Sequence, residues 1–193
     1  TQETVEQLDL SLQRAGSVVS EGSDRFEIIS DKLFTNLRAV DGLLVGVDSF
    51  LEKIQTMGVS EAIGLELNPH AVASAQAKGL QVFNQLIDAH LQTHANHYDL
   101  ICSFQVVEHI AELKDFFVDS IACLKPGGLY AISVPNNACY LFSNDPDHTL
   151  NLPPHHINLW EEQSLRNIAP MFGLSVLAVH KEPANKLNYG NYY

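Results

Sequence analysis

Short apolar runs alternate with segments of helical spacing along most of the chain, and this alternation restricts the fold more than any other feature. From residue 40 onward the runs are GLLVGV, AIGLEL, LQVF, DLICSF, LYAISV and LSVLAV. Parallel strands need crossover connections, and right-handed crossovers place the connecting helices on the faces of the sheet. We therefore predict an α/β fold with a mostly parallel sheet and helices on both faces. GLLVGV is the predicted central strand, and LSVLAV is predicted near an edge beyond LYAISV.

The chain divides into two regions by pattern. Residues 1–37 carry apolar side chains at helical spacing on either side of SEGSD, which predicts two N-terminal helices. The sheet-forming domain is predicted to occupy residues 38–193. Within it, residues 136–158 contain prolines, histidines and aromatics without a period. Long aperiodic segments in compact domains usually bind ligands, so we interpret this one as a substrate loop.

Local turn chemistry sets some of the boundaries. Asn68 followed by Pro69 predicts an N-cap with proline at the first helical position, and Gly79 is predicted to end the same helix. The segment LKPGG at residues 124–128 combines a proline, which presets one turn angle, with glycines that permit a positive one. It is predicted to be a turn that leads into the strand LYAISV.

The composition argues against several classes of function. The 193 residues have a formal net charge of −12, and so acidic a surface repels nucleic acid and anionic membranes. The cysteines lack C-x-x-C spacing, which disfavours a disulfide framework or a zinc knuckle. No apolar run approaches the ~18 residues of a membrane span, and the acidic start TQETVEQLDL is unlike a signal peptide. We expect a cytoplasmic protein with a small-molecule partner, no nucleic acid and no membrane insertion, in an oligomeric state left open.

Polar residues follow several of the apolar runs, which is where an open parallel sheet binds its ligands. Glu66 ends AIGLEL and follows Gly46 by 20 residues. That separation is typical of an acidic residue that accepts hydrogen bonds from ribose hydroxyls. Gln105, Glu108 and His109 follow DLICSF in the same way. The spacing indicates a site for a nucleoside or dinucleotide at these strand ends.

Three segments carry a family resemblance, namely IGLELNPHAV, YDLICSFQVVEHI and LKPGGLYAISVPN. In this order and spacing they resemble the class I S-adenosylmethionine-dependent methyltransferases, over about residues 38–180. HLQTHANHYDLICSFQVVEHI is similar to the ubiquinone-biosynthesis O-methyltransferases, and PPHHINLWEEQSLRNIAPMFGLSV to the broader bacterial branch. The resemblance implies a Rossmann-like fold, S-adenosylmethionine as cofactor, and methyl transfer to an oxygen or nitrogen of a small-molecule acceptor.

The resemblance also implies a cofactor site, although the glycine-rich first motif is degraded. When VDGLLVGVDSF is matched to the family's V-L-D-x-G-x-G-x-G, Gly46 is the one glycine retained, and Leu44 and Asp48 take the places of the other two. Asp48 is interpreted as the N-cap of the next helix and also as a carboxylate near that of the ligand. The residues implied to bind the cofactor are Gly46, Glu66, Leu67, Ile87, Asp88 and Gln105.

His109 and His156 are the predicted catalytic residues, because imidazole suits a general base for methyl transfer, and His155 lies behind them. The segment QVVEH resembles an E-x-x-E-H pattern that binds a divalent metal in some related methyltransferases, with His156 as the added histidine. Because Gln105 replaces the first carboxylate, we predict no metal, with Glu108 capping a helix. The two imidazoles are predicted to lie within about 12 Å, near enough to share one acceptor.

Other interpretations stay open. The degraded motif also fits a non-catalytic binding or scaffold domain that has kept the fold and lost the cofactor. An RNA 2′-O-methyltransferase is a further alternative, against which the acidic composition argues. A metal at Glu108, His109 and His156 would be zinc or a similar ion that favours nitrogen ligands. Asp88, His90, His94 and His97 also fit a solvated helix face.

Overall fold

The computed structural model describes residues 47–56, 59–138 and 151–181. The chain separates into two compact units, of which one comprises residues 1–86 and 182–193 and the other runs from Ile87 to Lys181. The predicted helices within residues 1–37 lie outside the described residues, and so does all of the GLLVGV run except Val47. No helix among the described residues is both long enough and apolar enough to cross a bilayer.

The described residues of the first unit form two helices and two parallel strands. Its elements are α1 (Val47–Thr56), β1 (Ile63–Leu65), α2 (Pro69–Ala77) and β2 (Gln81–Phe83). β1 and β2 pair in parallel, with Ile63 opposite Gln81 and Leu65 opposite Phe83. The prediction that AIGLEL and LQVF form parallel strands joined by a helix is therefore confirmed.

The predicted boundaries of α2 are also confirmed. The Asn68 side chain accepts a hydrogen bond from the His70 N–H at 3.0 Å, and Pro69 is the first helical residue. Gly79 has a φ of +80°, the left-handed conformation that glycine adopts without strain. Among the described residues of this unit, one buried hydrophobic cluster contains Leu51, Val72, Ala75, Leu80 and Val82.

Asp48 lies inside the first turn of α1, which begins at Val47, so its predicted role as N-cap is wrong. Its Oδ1 accepts a hydrogen bond from the Ser49 N–H at 2.8 Å, and its Oδ2 accepts one from Lys78 Nζ at 2.8 Å. The hydrogen bond from Lys78 lowers the pKa of Asp48. The carboxylate that the sequence places at a glycine position is thus paired with an ammonium group.

The second unit has a longer parallel strand pair. Its elements are α3 (Ile87–His94), β3 (Tyr98–Phe104), a 3₁₀ turn (Val107–His109), α4 (Leu113–Cys123), β4 (Leu124–Ser133), α5 (Glu162–Ile168) and a second 3₁₀ turn (Ala169–Phe172). β3 and β4 pair in parallel, with Leu100 opposite Leu129 and Phe104 opposite Ser133. DLICSF and LYAISV therefore form strands, as predicted.

The LKPGG segment forms an irregularity inside β4, so the predicted separate turn before the strand is wrong. Leu124 pairs with Tyr98 and Leu129 with Leu100, and the four residues between them have no partners in the register of β3. The conformational part of the prediction is confirmed, because Gly127 has a φ of +80°. A Cβ at Gly128 would lie 2.9 Å from the Lys125 carbonyl oxygen, closer than side chains approach. The glycines let the chain bulge and then rejoin the sheet.

The LSVLAV run at residues 174–179 pairs with no strand in the described part of the chain, and its prediction as a strand is wrong. Its residues still alternate between half-buried and exposed from Leu174 to Ala178. Alternating apolar residues determine which side chains are covered, but a strand also needs a neighbour whose backbone groups are available. The run satisfies the first condition and lacks the second.

The core of the second unit holds the segment after residue 150 against the strands. Val107, Phe117 and Trp160 form a buried cluster in it, and the Phe117 ring lies 5.0 Å from the ring of Phe172. Trp160 also bridges to Asn136, just beyond the end of β4. Burial of Trp160 therefore anchors the residues that immediately precede it in the sequence, including His155 and His156.

Candidate active site

Glu108, His109 and His156 form a cluster, called here the histidine–carboxylate cluster. One ligand atom from each residue lies within 4.8 Å of the others. The ring centres of His109 and His156 are 5.0 Å apart, so the prediction that the two imidazoles approach each other is confirmed. The ring of His155 lies 5.8 Å from that of His109. Their catalytic role stays a prediction.

Backbone hydrogen bonds join the two chain segments that carry the cluster. The N–H groups of Ile157 and Asn158 donate to the Glu108 carbonyl oxygen at 2.8 and 3.0 Å. The Asn158 side-chain Nδ2 donates to the carbonyls of Val107 and Ile110 at 3.2 and 2.6 Å. Asn158 therefore fixes the 3₁₀ turn from both ends. Sequence reasoning missed this residue, and its position two residues after His156 was the one available signal.

Glu108 is a buried carboxylate, with 1% of its surface exposed. Neither of its side-chain oxygens has a hydrogen-bond partner of normal geometry among the described residues. His109 Nε2 lies 3.9 Å from Glu108 Oε1. Burial raises the pKa of Glu108, an effect only partly offset by its own backbone and by His109. The predicted role of Glu108 as a helix cap is wrong, because the N-cap residues of the 3₁₀ turn and of α4 are Val106 and Glu112.

The partner of His109 determines which of its nitrogens carries the proton. His109 Nδ1 lies 2.5 Å from the carbonyl oxygen of His155. A carbonyl oxygen can only accept, so Nδ1 is the protonated nitrogen and the lone pair of the neutral ring is on Nε2. Nε2 is the atom nearer to Glu108. The Glu108 carboxylate oxygens and His109 Nε2 are therefore all hydrogen-bond acceptors. A ligand that binds them must supply donor hydrogens or positive charge.

Gln105 occupies a strained position directly after β3. Its φ is 54°, in the left-handed region that residues other than glycine rarely adopt. Its backbone N–H donates to the Ser133 carbonyl at 2.8 Å, and its Nε2 donates to Ser133 Oγ at 3.2 Å. Such strain concentrates at ligand sites, where surrounding contacts enforce it. The strained backbone is a second reason, in addition to its place after a strand, to expect Gln105 at a ligand site.

Two of the residues predicted to bind the cofactor lie at the carboxyl end of β1, in the first unit. Glu66 Oε1 accepts the Asn68 N–H at 2.8 Å, and its carbonyl oxygen accepts Asn84 Nδ2 at 2.9 Å. The carboxylate is thus held in one orientation at the strand end and stays partly exposed. Leu67 is 60% exposed, which is unusual for leucine and suits contact with a ligand.

The other predicted cofactor residues are distributed differently. Ile87 and Asp88 begin α3 in the second unit, with Asp88 exposed. Gly46 lies outside the described residues. Along the chain, Glu66 and Leu67 follow β1 and Gln105 follows β3 directly, whereas Ile87 and Asp88 come four and five residues after the last residue of β2.

The histidines of α3 are not all on a solvated face. His90 is 3% exposed, and its Nε2 lies 2.6 Å from the Tyr98 hydroxyl. Its ring stacks on that of His94 with centres 3.9 Å apart. The solvated interpretation is therefore wrong for His90. Burial lowers the pKa of His90, and the neighbouring His94 and His97 lower it further.

Parallel strands with intervening helices, and polar side chains at the strand ends, define a Rossmann-like α/β protein. Residues 45–179 match the family model described as a methyltransferase domain, and the chain belongs to this methyltransferase family. The chain resembles the structure of a SAM-dependent methyltransferase from Archaeoglobus fulgidus, at 20% identity and a TM-score of 0.57, over 79% of this chain and 70% of that one.

A second solved structure shows the same fold. It is a chain in the complex between the Haloferax volcanii Trm112 methyltransferase activator and a methyltransferase. The identity is 17% and the TM-score 0.56, over 82% of this chain and 75% of that one. At these identities the two likenesses establish the fold alone. No curated protein sequence matches the chain significantly.

Proposed function

We propose that the protein transfers a methyl group from S-adenosylmethionine to an oxygen or nitrogen of a small-molecule acceptor. The observation that carries this proposal is the histidine–carboxylate cluster, in which a buried carboxylate without a partner among the described residues lies beside His109 Nε2. An O–H or N–H group of an acceptor supplies the donor hydrogen that these atoms lack. Membership of the methyltransferase family supports the reaction class.

When bound, S-adenosylmethionine supplies a methyl group already activated by its sulfonium. The chain must then align the acceptor with that methyl, exclude water, and take the acceptor's proton if one must leave. His109 is assigned as the general base, because its Nδ1–H bond to the His155 carbonyl directs the lone pair of the ring to Nε2. His156 is assigned to the same acceptor site, with its ring centre 5.0 Å from that of His109.

The residues proposed for the cofactor fit its chemistry. Glu66 is held at the end of β1 by the Asn68 N–H, in an orientation suited to accepting ribose hydroxyls. Asp48 is paired with Lys78, which reduces the repulsion that an unpaired carboxylate would exert on an anionic ligand group. The remaining proposed contacts are Gly46, Leu67, Ile87, Asp88 and Gln105.

Calorimetric titration of the purified chain with S-adenosylmethionine and with its demethylated product tests the proposal. Glu66→Ala removes a charged acceptor and is expected to weaken binding by about 1.5–3 kcal/mol, or roughly 10- to 150-fold. Glu112→Ala is the matched control, because its side chain is exposed and makes no cap hydrogen bond. An unchanged dissociation constant for Glu66→Ala would exclude Glu66 from the site. No binding to the wild-type chain at millimolar ligand would favour the non-catalytic alternative.

A metal ion is a second candidate for the cluster, favoured by the three ligand atoms within 4.8 Å of one another. One carboxylate and two imidazoles suit zinc or a similar ion better than magnesium, which prefers oxygen. Metal analysis of chain purified without a histidine tag separates the two versions. A stoichiometric metal that is lost on Glu108→Ala would replace the general-base assignment, whereas metal-free protein that still binds cofactor would retain it.

A further inference from the structure

Two asparagine side chains form a hydrogen-bonded series that ends at His156. His156 Nδ1 lies 3.2 Å from Asn151 Oδ1, and Asn151 Nδ2 donates to Asn137 Oδ1 at 2.6 Å. Asn137 Nδ2 in turn lies 3.5 Å from the Pro135 carbonyl oxygen, a long hydrogen bond. We call Asn137 and Asn151 the amide relay. Both residues lie in the predicted substrate loop at 136–158, but neither was among the predicted site residues.

The contact between Asn137 and the Pro135 carbonyl determines which atom of each asparagine amide donates and which accepts. The Pro135 carbonyl can only accept, so Asn137 turns its NH₂ group toward it and its oxygen toward Asn151. Asn151 must then donate through Nδ2 to Asn137, which directs its own oxygen toward His156. Facing an oxygen, His156 Nδ1 must carry the proton. The lone pair of the neutral His156 ring is consequently on Nε2.

The core of the unit holds the relay in place. The Asn137 backbone N–H donates to the Trp160 carbonyl oxygen at 2.8 Å, and Trp160 is a buried core residue. The neighbouring Asn136 pairs with Trp160 as an isolated bridge. Asn137 is therefore tied to a fixed point, and Asn151 transmits that fixed orientation to the imidazole ring.

His109 reaches the same tautomer by a different route, through the backbone carbonyl of His155. Two rings that lie 5.0 Å apart are thus both set to present Nε2 as the acceptor atom. We infer that Asn151, oriented by Asn137, is a positioning residue that fixes the tautomer and ring orientation of His156. The inference rests on the proposed function only for what this tautomer does in the protein. An Nε2 lone pair serves a general base, and it serves a metal ligand equally well.

Long-range proton–nitrogen NMR spectra of the ¹⁵N-labelled full chain test the inference without any acceptor. At pH 8 the two tautomers of a neutral imidazole give distinct nitrogen shifts, and His156→Gln assigns the signals of that ring by their loss. In the wild type, His156 is expected entirely as the Nδ1–H tautomer. In Asn151→Leu the acceptor is gone, and the ring is expected to shift to a mixture in which the Nε2–H form is present.

Asn151→Asp tests whether Asn151 sets the tautomer of His156 or only links its segment to Asn137. Aspartate keeps an acceptor oxygen for His156 and loses the donor to Asn137, so it is expected to retain the Nδ1–H tautomer although the link to Asn137 is broken. His109 is the internal control, because a backbone carbonyl sets its tautomer and neither variant should change it. If Asn151→Leu does not fold, the wild-type spectrum and Asn151→Asp still decide the question.

A wild-type His156 in the Nε2–H form would overturn the inference, and so would an Asn151→Leu chain that keeps the pure Nδ1–H form. Because the spectra need neither cofactor nor acceptor, their outcome is independent of the calorimetric test of the proposed function. Once an acceptor is known, Asn151→Leu is expected to lower kcat about 10- to 100-fold with KM little changed, as loss of supporting hydrogen bonds to functional histidines does.

Discussion

Replacing Glu108 with glutamine is expected to stabilise the metal-free protein at neutral pH. The wild-type carboxylate is 1% exposed and has no hydrogen-bond partner of normal geometry in the described part of the chain. A buried polar group left without a partner costs about 1–3 kcal/mol, and more when it is charged. Glutamine removes the charge. It also places an NH₂ donor about as close to His109 Nε2 as Oε1 is in the wild type, where that distance is 3.9 Å.

The expected gain is therefore about 1–3 kcal/mol in the free energy of unfolding. For a chain of this size each kcal/mol shifts Tm by about 2–4 °C, so Tm should rise by roughly 2–12 °C. Thermal and urea unfolding in the presence of a chelator measure the change. Glu112→Gln is the matched control, since Glu112 is exposed and its replacement should alter stability by no more than about 0.5 kcal/mol.

The advantage of Glu108→Gln should depend on pH in a defined direction. Burial raises the pKa of Glu108 above its ordinary value of 4.5, so the folded wild-type chain takes up a proton before the unfolded chain does. Wild-type stability therefore increases relative to the variant as the pH falls through that raised pKa toward 4.5, and above the raised pKa the two stabilities keep a constant difference. A glutamine variant that melts at or below the wild type in chelator at pH 7.5 would show that the carboxylate has a stabilising partner, and would refute the reasoning.

Three further outcomes are expected from urea unfolding. Asn158→Ala removes two side-chain hydrogen bonds to carbonyls at the 3₁₀ turn and should lower the free energy of unfolding by about 1–3 kcal/mol. Asn167→Ala, at an exposed position, should lower it hardly at all. Equal urea midpoints for the two variants would contradict this. Gln105→Gly relieves the positive φ and should stabilise by up to about 1 kcal/mol, so a lower midpoint would show that the side-chain contact dominates. Burial lowers the pKa of His90, so stability should fall as the pH drops below its ordinary value of 6.5. His90→Gln should flatten that slope, and parallel profiles would count against this explanation.

The sequence predicted the described strands where an apolar run has a parallel neighbour. Residues 63–65, 81–83 and 98–104 all became strands, and each is paired with a parallel neighbour. The run at 174–179 has the same apolar alternation but no partner in the described residues. Local sequence encodes which face of a segment is covered, while pairing depends on backbone groups that are distant in sequence, so this failure could not be seen in the run itself.

The candidate site was predictable in its residue types and not in its supporting contacts. His109 and His156 were selected from strand-end position and family resemblance, and their proximity follows from the fold. The burial of Glu108 was unexpected, because charged side chains are almost never fully buried without a partner. Asn151 and Asn158 act through hydrogen bonds to groups that no sequence pattern relates to them. Their roles appear only when the segment before Trp160 is seen against the 3₁₀ turn.

The hydrogen bonds that assemble the cluster have a consequence for folding order. They join residues 46, 48 and 51 positions apart, through His109 to His155 and through Asn158 to the turn. Contacts at such separation require the intervening chain to be closed into a loop first, and that closure is slow relative to local helix formation. During synthesis, a nascent chain that ends before His155 contains His109 but lacks the groups that orient it. The histidine–carboxylate cluster therefore cannot form before the segment ending at Trp160 has docked.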